Sequence, residues 1–300
     1  MINPEHYIYS KFPESLFPSQ DPVENASRLL KGLRVTSNKS VVIAGLCRNI
    51  RNRVHQSIAR LNKTASLFGE CSFVIYENDS DDGTSEILKD YALKDSRIHL
   101  IQESMGWDQF ERTRDYNRAK YLSDLRNNYL NYIDDNLSPD YVIVIDLDIE
   151  GGWSYDGILN CFSYTGWSVM SSNGISFREK KLTFKDQTEI EYERILFDTW
   201  AFRSMDNEDV IPDGSVNHLQ FNRGEKPQKV FSNFGGLAIY NWKEMRDYRY
   251  GATRHDDGSV TCDHPFIHKQ IRNNGGSIFL NPSMITLYSP TEFSEEFCFE

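Results

Sequence analysis

Residues 141–152 read YVIVIDLDIEGG, an apolar run that ends in two aspartates one residue apart. Side chains at i and i+2 of a strand point to one side, so Asp146 and Asp148 bring two like charges together. The pair is costly unless a cation joins it. Mn2+ or Mg2+ suits, because both take oxygen ligands, keep several waters and bridge to substrate phosphates. A solvated acidic turn after a core strand is the other reading. A second acidic run, YENDSDDGT at 76–84, carries Glu77, Asp79, Asp81 and Asp82. Carboxylates at a strand end can accept hydrogen bonds from a base or a ribose, although Asp, Ser, Gly and Thr also make an ordinary capped loop.

Positive charge gathers in RTRDYNRAKYLSDLRNN, which holds Arg112, Arg114, Arg118, Lys120 and Arg126. Arg118 and Arg126 lie eight residues apart, close to one helix face. They could balance the carboxylates and grip a diphosphate; a salt-bridged surface helix is the alternative. In RHDDGSVTCDHPFIH, Asp263 could serve as a general base, and His264 and His268 stand at the i, i+4 spacing of a metal pair. HPFIH lacks the glutamate of HExxH, so a metalloprotease is unsupported. Gly235 and Gly236 precede an apolar run, where glycine lets a backbone approach a ligand or forms a bulge. No GxSxG, GxxxxGK[ST] or GxGxxG occurs, which removes the usual support for serine hydrolase, P-loop and dinucleotide-binding readings.

The elements that must position these residues alternate in type. Buried-strand runs are expected at 40–46, 71–78, 97–103 and 141–146, with helical spacing at 54–68, 84–93 and 118–134 between them. Strand, helix, strand in repetition predicts an α/β fold with a mostly parallel central sheet flanked by helices. Ligands bind such sheets at the carboxyl ends of the strands. Here those ends are AGLCRN, ENDSDDGT and DLDIEGG. Regularity fades over 153–225, then a strand with a glycine pair (229–242), a glycine-closed helix (261–276) and a last strand are expected. A polar leader, 1–37, is expected to precede one domain, 38–300, in two halves, 38–152 and 153–300.

The bulk composition narrows the class. The chain has 300 residues, 39% hydrophobic, with 18 Phe, 16 Tyr and 5 Trp, as in a globular protein. A net charge of −11 makes it a poor binder of nucleic acid or anionic membrane. Any phosphate compound must therefore meet a local cation or basic cluster. Five widely spaced cysteines without a CxxC argue against a disulfide framework or zinc knuckle. With no secretory signal and no apolar stretch near the roughly 20 residues of a membrane span, the expected location is cytoplasmic, including the cytoplasmic face of a membrane.

Haloacid dehalogenase-like phosphatases also end a strand in DxD, but on the first strand, and continue with Thr or Val. The order of motifs here instead resembles glycosyltransferases of the GT-A fold. AGLCRN on the opening strand is followed by ENDSDDGT, a helix ending in Arg126-Asn127, the DxD, and CDHPFIHKQIRNNGGSIFLNP. Within that fold, RAKYLSDLRNNYL, LFDTWAFR and ENDSDDGT resemble the fungal capsule-associated α-1,3-mannosyltransferases. The resemblance covers about residues 38–290 and implies a nucleotide-binding half, 38–152, and an acceptor-binding half, 153–300. It implies transfer of a hexose from a GDP- or UDP-linked sugar to a saccharide or glycolipid acceptor, in capsule or surface polysaccharide synthesis. Gly45, Arg48, Glu77 and Asp79 would hold the nucleoside. Asp146 and Asp148 would hold Mn2+ or Mg2+; His264 enters as a further metal ligand only through its spacing to His268, which core or surface histidines share. Arg118 or Arg126 would offset the leaving group's charge. Asp198, Trp200, Gly235 and Gly236 would line the sugar and acceptor side. Asp263 matches the general base of inverting members, whereas the mannosyltransferase likeness implies retention, which needs none. A phosphatase, a nucleotidyltransferase and a non-catalytic sugar-binding domain are the competing readings.

Overall fold

The computed structural model describes residues 10–106, 113–184 and 187–288. Arg112 and Cys298 lie outside them, and no side chain is described for 180–189. The seven α-helices among the described residues are α1 (Pro22–Thr36), α2 (Val54–Ala65), α3 (Thr84–Lys94), α4 (Tyr116–Asn136), α5 (Tyr155–Cys161), α6 (Trp242–Met245) and α7 (Asp263–Asn273). The main strands are β1 (Ser40–Cys47), β2 (Glu70–Asn78), β3 (Ile98–Glu103) and β4 (Tyr141–Ile145), then β5 (Gly152–Trp153), β6 (Val169–Phe184) and β7 (Gln187–Leu196). Short β8 (Gln228–Lys229), β9 (Leu237–Asn241), the β10 (Thr253–Arg254) and β11 (Val260–Thr261) pair, and β12 (Ile278–Leu287) complete the set.

The large sheet runs β3-β2-β1-β4-β9-β6-β12-β5, with β7 on β6 and β8 on β12. Its first four strands are parallel, as the alternation of helices and strands requires. Beyond β4 the sheet is mixed: β9 is antiparallel to both neighbours, while β12 runs parallel to β6. Side chains alternate across β1, so Val41 and Ile43 join one core while Val42 and Ala44 join the other. Helix α2 (Val54, Ile58, Leu61) covers the first face; α4 (Tyr121, Leu125, Tyr129) and α7 (Ile267, Ile271) cover the second. No described helix is long and apolar enough to cross a membrane.

Helix starts follow the local sequence. Asp21 accepts from the Glu24 N–H at 2.9 Å ahead of Pro22, and Asp115 accepts from the Arg118 N–H at 3.0 Å. The residues before β1 pack into the body of the protein. Gly32 of α1 lies so close to α5 that an added Cβ would sit 1.9 Å from the Leu159 carbonyl oxygen. Glu14 accepts from the Ser154 hydroxyl at 2.9 and 2.8 Å and pairs with Arg223, whose side chain is 4% exposed.

The segment from 153 to 225, where no regular pattern is expected, contains the long β6–β7 hairpin, with Ile175 opposite Leu196 and Phe184 opposite Gln187. Its first strand reads VMSSN, and Ser171, Ser172 and Asn173 are buried at 0%, 0% and 2% exposure. Internal bonds make that burial tolerable: Ser171 Oγ donates to the Phe279 carbonyl, and Ser172 Oγ to those of Phe234 and Gly235.

Candidate active site

The carboxyl ends of β1, β2 and β4 share one edge of the parallel half, and there the acidic loops converge. The loop after β4 is strapped down by α2. Ser57 Oγ donates to the Leu147 carbonyl at 2.6 Å, Arg60 donates to those of Ile149 and Glu150 at 2.8 Å each, and Arg53 donates to that of Asp148 at 3.3 Å. Arg53 also pairs with the Glu150 carboxylate. Arg60 is 2% exposed, and burial pulls its guanidinium down to about 10. Sequence reading missed this strap, whose signal is an arginine among the apolar anchors of an amphipathic helix. Gly45 serves the same loop. An added Cβ there would lie 2.7 Å from the Ile145 oxygen and 2.8 Å from Leu147, so the bare backbone lets Leu147 tuck in between the two aspartates.

The two aspartates are unlike. Asp148 is exposed, and among the described residues its carboxylate takes no hydrogen bond or ion pair. The side chain of Asp146 is 31% exposed and held at both oxygens: Tyr288 donates its hydroxyl to Oδ2 at 2.8 Å, and Arg126 reaches Oδ1 at 3.4 Å. The backbone N–H of Asp146 donates to the Gly236 carbonyl at 3.0 Å. Burial first, and then the charge of Asp148, lifts Asp146 to about 6, against the pull of Arg126 and Tyr288.

Arg126 is spent on carboxylates rather than facing solvent. Its Nε donates to Asp263 at 2.7 Å, with the two side chains 6% and 7% exposed, and its guanidinium lies 5.3 Å from the Phe234 ring centre. That ion pair occupies one oxygen of Asp263, so this aspartate stabilises a buried cation. Its neighbour His264 stacks on Phe234 at 3.7 Å and bonds Tyr240 through Nδ1 at 3.1 Å. Burial and the positive charge of Arg126 hold the His264 ring well below the ordinary range, hence neutral. Tyr240 also meets His268 Nε2 at 2.9 Å, and burial pulls His268 down to about 3. The two histidines thus belong to one buried hydrogen-bonded chain.

Asp198 has a positive φ of 61°, a conformation that costs a non-glycine residue free energy. Its Oδ2 accepts from the Gly235 N–H at 3.2 Å. Burial, with the charges of Asp146 and Asp263, lifts it to about 7. Trp200 is 8% exposed and donates Nε1–H to the Val260 carbonyl at 3.0 Å. Arg118 lies over its ring, 5.5 Å from the centre, and donates to the Thr113 carbonyl. Arg114 is engaged by Thr199 and Asp213, and Lys120 by Asp124. Of the described basic residues in this segment, Arg126 reaches the paired aspartates.

Glu77 and Asp79 shape the neighbouring loop. Glu77 is 2% exposed and accepts from the Ser80 N–H at 3.0 Å, from Ser85 Oγ, and from Gln102 Nε2 at 3.2 Å. Asp79 Oδ1 accepts the N–H groups of Met105 and Gly106 at 2.9 Å each. Asn49, the residue after Arg48, accepts from the Asp81 N–H at its side-chain oxygen and donates its own backbone N–H to Ser80 Oγ, each at 3.0 Å. The loops after β1 and β2 are thereby fastened into one rim.

No three His, Cys, Asp or Glu side chains among the described residues converge to hold a metal by themselves. A cation held by Asp146 and Asp148 would complete its shell with water and ligand oxygens, as hard divalent ions do. The open carboxylate of Asp148 suits such an ion.

No curated protein sequence matches the chain. Among solved structures, it is similar to a mannosyltransferase, PcManGT from Pyrobaculum calidifontis in complex with GDP-Man and Mn2+, at 9% identity and a TM-score of 0.46, over 91% of this chain and 68% of that one. It is likewise similar to GalNAc-T7 with UDP, GalNAc and Mn2+, at 12% identity and a TM-score of 0.46, over 84% of this chain and 44% of that one. The family described as cryptococcal mannosyltransferase 1 matches residues 40–269, a span that runs from β1 through the Asp146–Asp148 loop to Asp263 and His264. With well over half of its length matched, the chain belongs to that mannosyltransferase family and is a glycosyltransferase.

Proposed function

We propose that the chain transfers a hexose, mannose being the first candidate, from a GDP- or UDP-linked sugar to a saccharide or glycolipid acceptor, using Mn2+ or Mg2+, in surface or capsular polysaccharide synthesis. The observation that carries this reading is the pairing of an open Asp148 with a held Asp146 at the strand-end edge, beside the rim built by Glu77 and Asp79. The two complexes described above contain a nucleotide sugar or its parts together with Mn2+, which supports the choice of ligands to test.

In this reading the rim over 48–53 and 78–83 receives the nucleoside. Asp148 and Asp146 hold the divalent ion, which supplies Lewis-acid stabilisation of the departing nucleoside diphosphate when bound. Arg126 pairs with both Asp146 and Asp263 and fixes the two carboxylates in place. Arg118, on the half-buried face beside Trp200, adds positive charge at the mouth. The Gly235–Gly236 turn and Asp198 form the wall on the sugar side, with the Asp198 carboxylate fixed by a backbone N–H. Titrating GDP and UDP by calorimetry, with and without Mn2+, tests the reading. Binding of one of them that appears with the ion and is lost in Asp148→Ala is expected; binding indifferent to the ion and to that substitution refutes it.

A further inference from the structure

We propose that Tyr288 is a positioning residue for Asp146, holding its carboxylate in the orientation that cation and donor binding require. The inference rests on the function proposed above and deepens it. Three contacts seat the tyrosine. Its hydroxyl donates to Asp146 Oδ2 at 2.8 Å, its ring stacks on Phe197 with centres 3.6 Å apart, and its backbone N–H donates to the Ile175 carbonyl at 2.8 Å. A fourth feature makes room for it. Gly236 has a φ of 94°, and a Cβ there would lie 2.2 Å from the tyrosine hydroxyl. The same glycine accepts the Asp146 N–H through its carbonyl, so main chain and side chain of Asp146 are fixed from one side.

Arg126 fixes the other oxygen, leaving Asp146 oriented and Asp148 open. A carboxylate oxygen keeps a second lone pair after accepting one hydrogen bond, so the Tyr288 contact is compatible with ligation. Partners that orient a ligating carboxylate change metal affinity by roughly 10–100-fold when removed. The hydroxyl is the only atom lost in Tyr288→Phe, which retains the ring on Phe197 and its place above Gly236.

The test is calorimetric titration of GDP or UDP, whichever the wild type binds, across a series of Mn2+ concentrations, with folding checked by near-UV circular dichroism. Tyr288→Phe should raise the Mn2+ concentration at half-maximal binding about tenfold, with nucleotide affinity restored at saturating Mn2+. Phe197→Leu leaves the hydroxyl and loosens its seat, and should raise the same midpoint by less. A Tyr288→Phe midpoint equal to that of the wild type overturns the inference and leaves the proposed function standing. If that variant does not fold, an unchanged midpoint in Phe197→Leu overturns it. Wild-type protein that binds neither nucleotide in a Mn2+-dependent way sinks both.

Discussion

Asp198→Asn should stabilise the metal-free protein at alkaline pH while removing its activity. The wild-type carboxyl titrates at about 7 when folded, lifted from 3.8 by burial and by the charges of Asp146 and Asp263. Because the folded protein binds this proton more tightly, the carboxylate's unfavourable contribution is absent below the unfolded value. It grows as pH rises from about 4 and is complete above about 7. At 1.36 kcal/mol per tenfold, the penalty accumulated between about pH 5 and about pH 8 is at most about 2–3 kcal/mol. Solvent reaching the half-buried side chain reduces this to about 1 kcal/mol. Asparagine is nearly isosteric, stays neutral, and can still accept the Gly235 N–H through its carbonyl oxygen. The melting temperature of EDTA-treated Asp198→Asn should therefore exceed that of the wild type by about 2–4 °C at about pH 8, and the gap should narrow by about pH 5. A variant no more stable than the wild type at about pH 8, or a gap independent of pH, refutes the reasoning.

Other substitutions probe the same frame. Arg126→Met removes the cation from the buried Asp263 and the partly exposed Asp146 and should cost about 3–5 kcal/mol in urea denaturation, whereas Arg126→Lys, unable to span Nε to Asp263 and Nη2 to Asp146, should fall between it and the wild type. Gly236→Ala forces a side chain against the Tyr288 hydroxyl at a φ of 94°, and should lose both stability and Mn2+-dependent nucleotide binding by calorimetry. Gly32→Ala should lower the melting temperature through its clash with Leu159 yet leave nucleotide affinity intact, since the atoms it would strike nearest are those of Leu159 and none belongs to a rim residue.

The parallel half of the sheet was legible because β1, β2 and β4 are apolar runs, and α2 and α4 repeat their apolar residues at helical spacing. Strand β6 was not, because it is buried and polar: Ser171, Ser172 and Asn173 meet backbone carbonyls and side chains rather than water, and hydropathy has no sign for that. In the site, the paired aspartates, Arg126 and Asp263 stood out by residue type, and Asp198 through the family resemblance. Their pairings did not. Arg126 and Asp263 are 137 residues apart in the chain, and Tyr288 meets Asp146 across 142. Such contacts depend on β12 running parallel to β6 and on β9 inserting beside β4, neither of which local pattern encodes.

The Glu14–Ser154–Arg223 knot bears on where this protein can be shortened. The family match begins at residue 40, which invites an expression boundary just before β1. A chain cut there would lack the only described anion paired with the Arg223 side chain, and Ser154, the cap of α5, would lose its acceptor. It would also uncover the face of α5 against which Gly32 packs. Evolutionary and physical boundaries therefore fall in different places, and the smallest soluble fragment is expected to begin ahead of Glu14 rather than at the first strand.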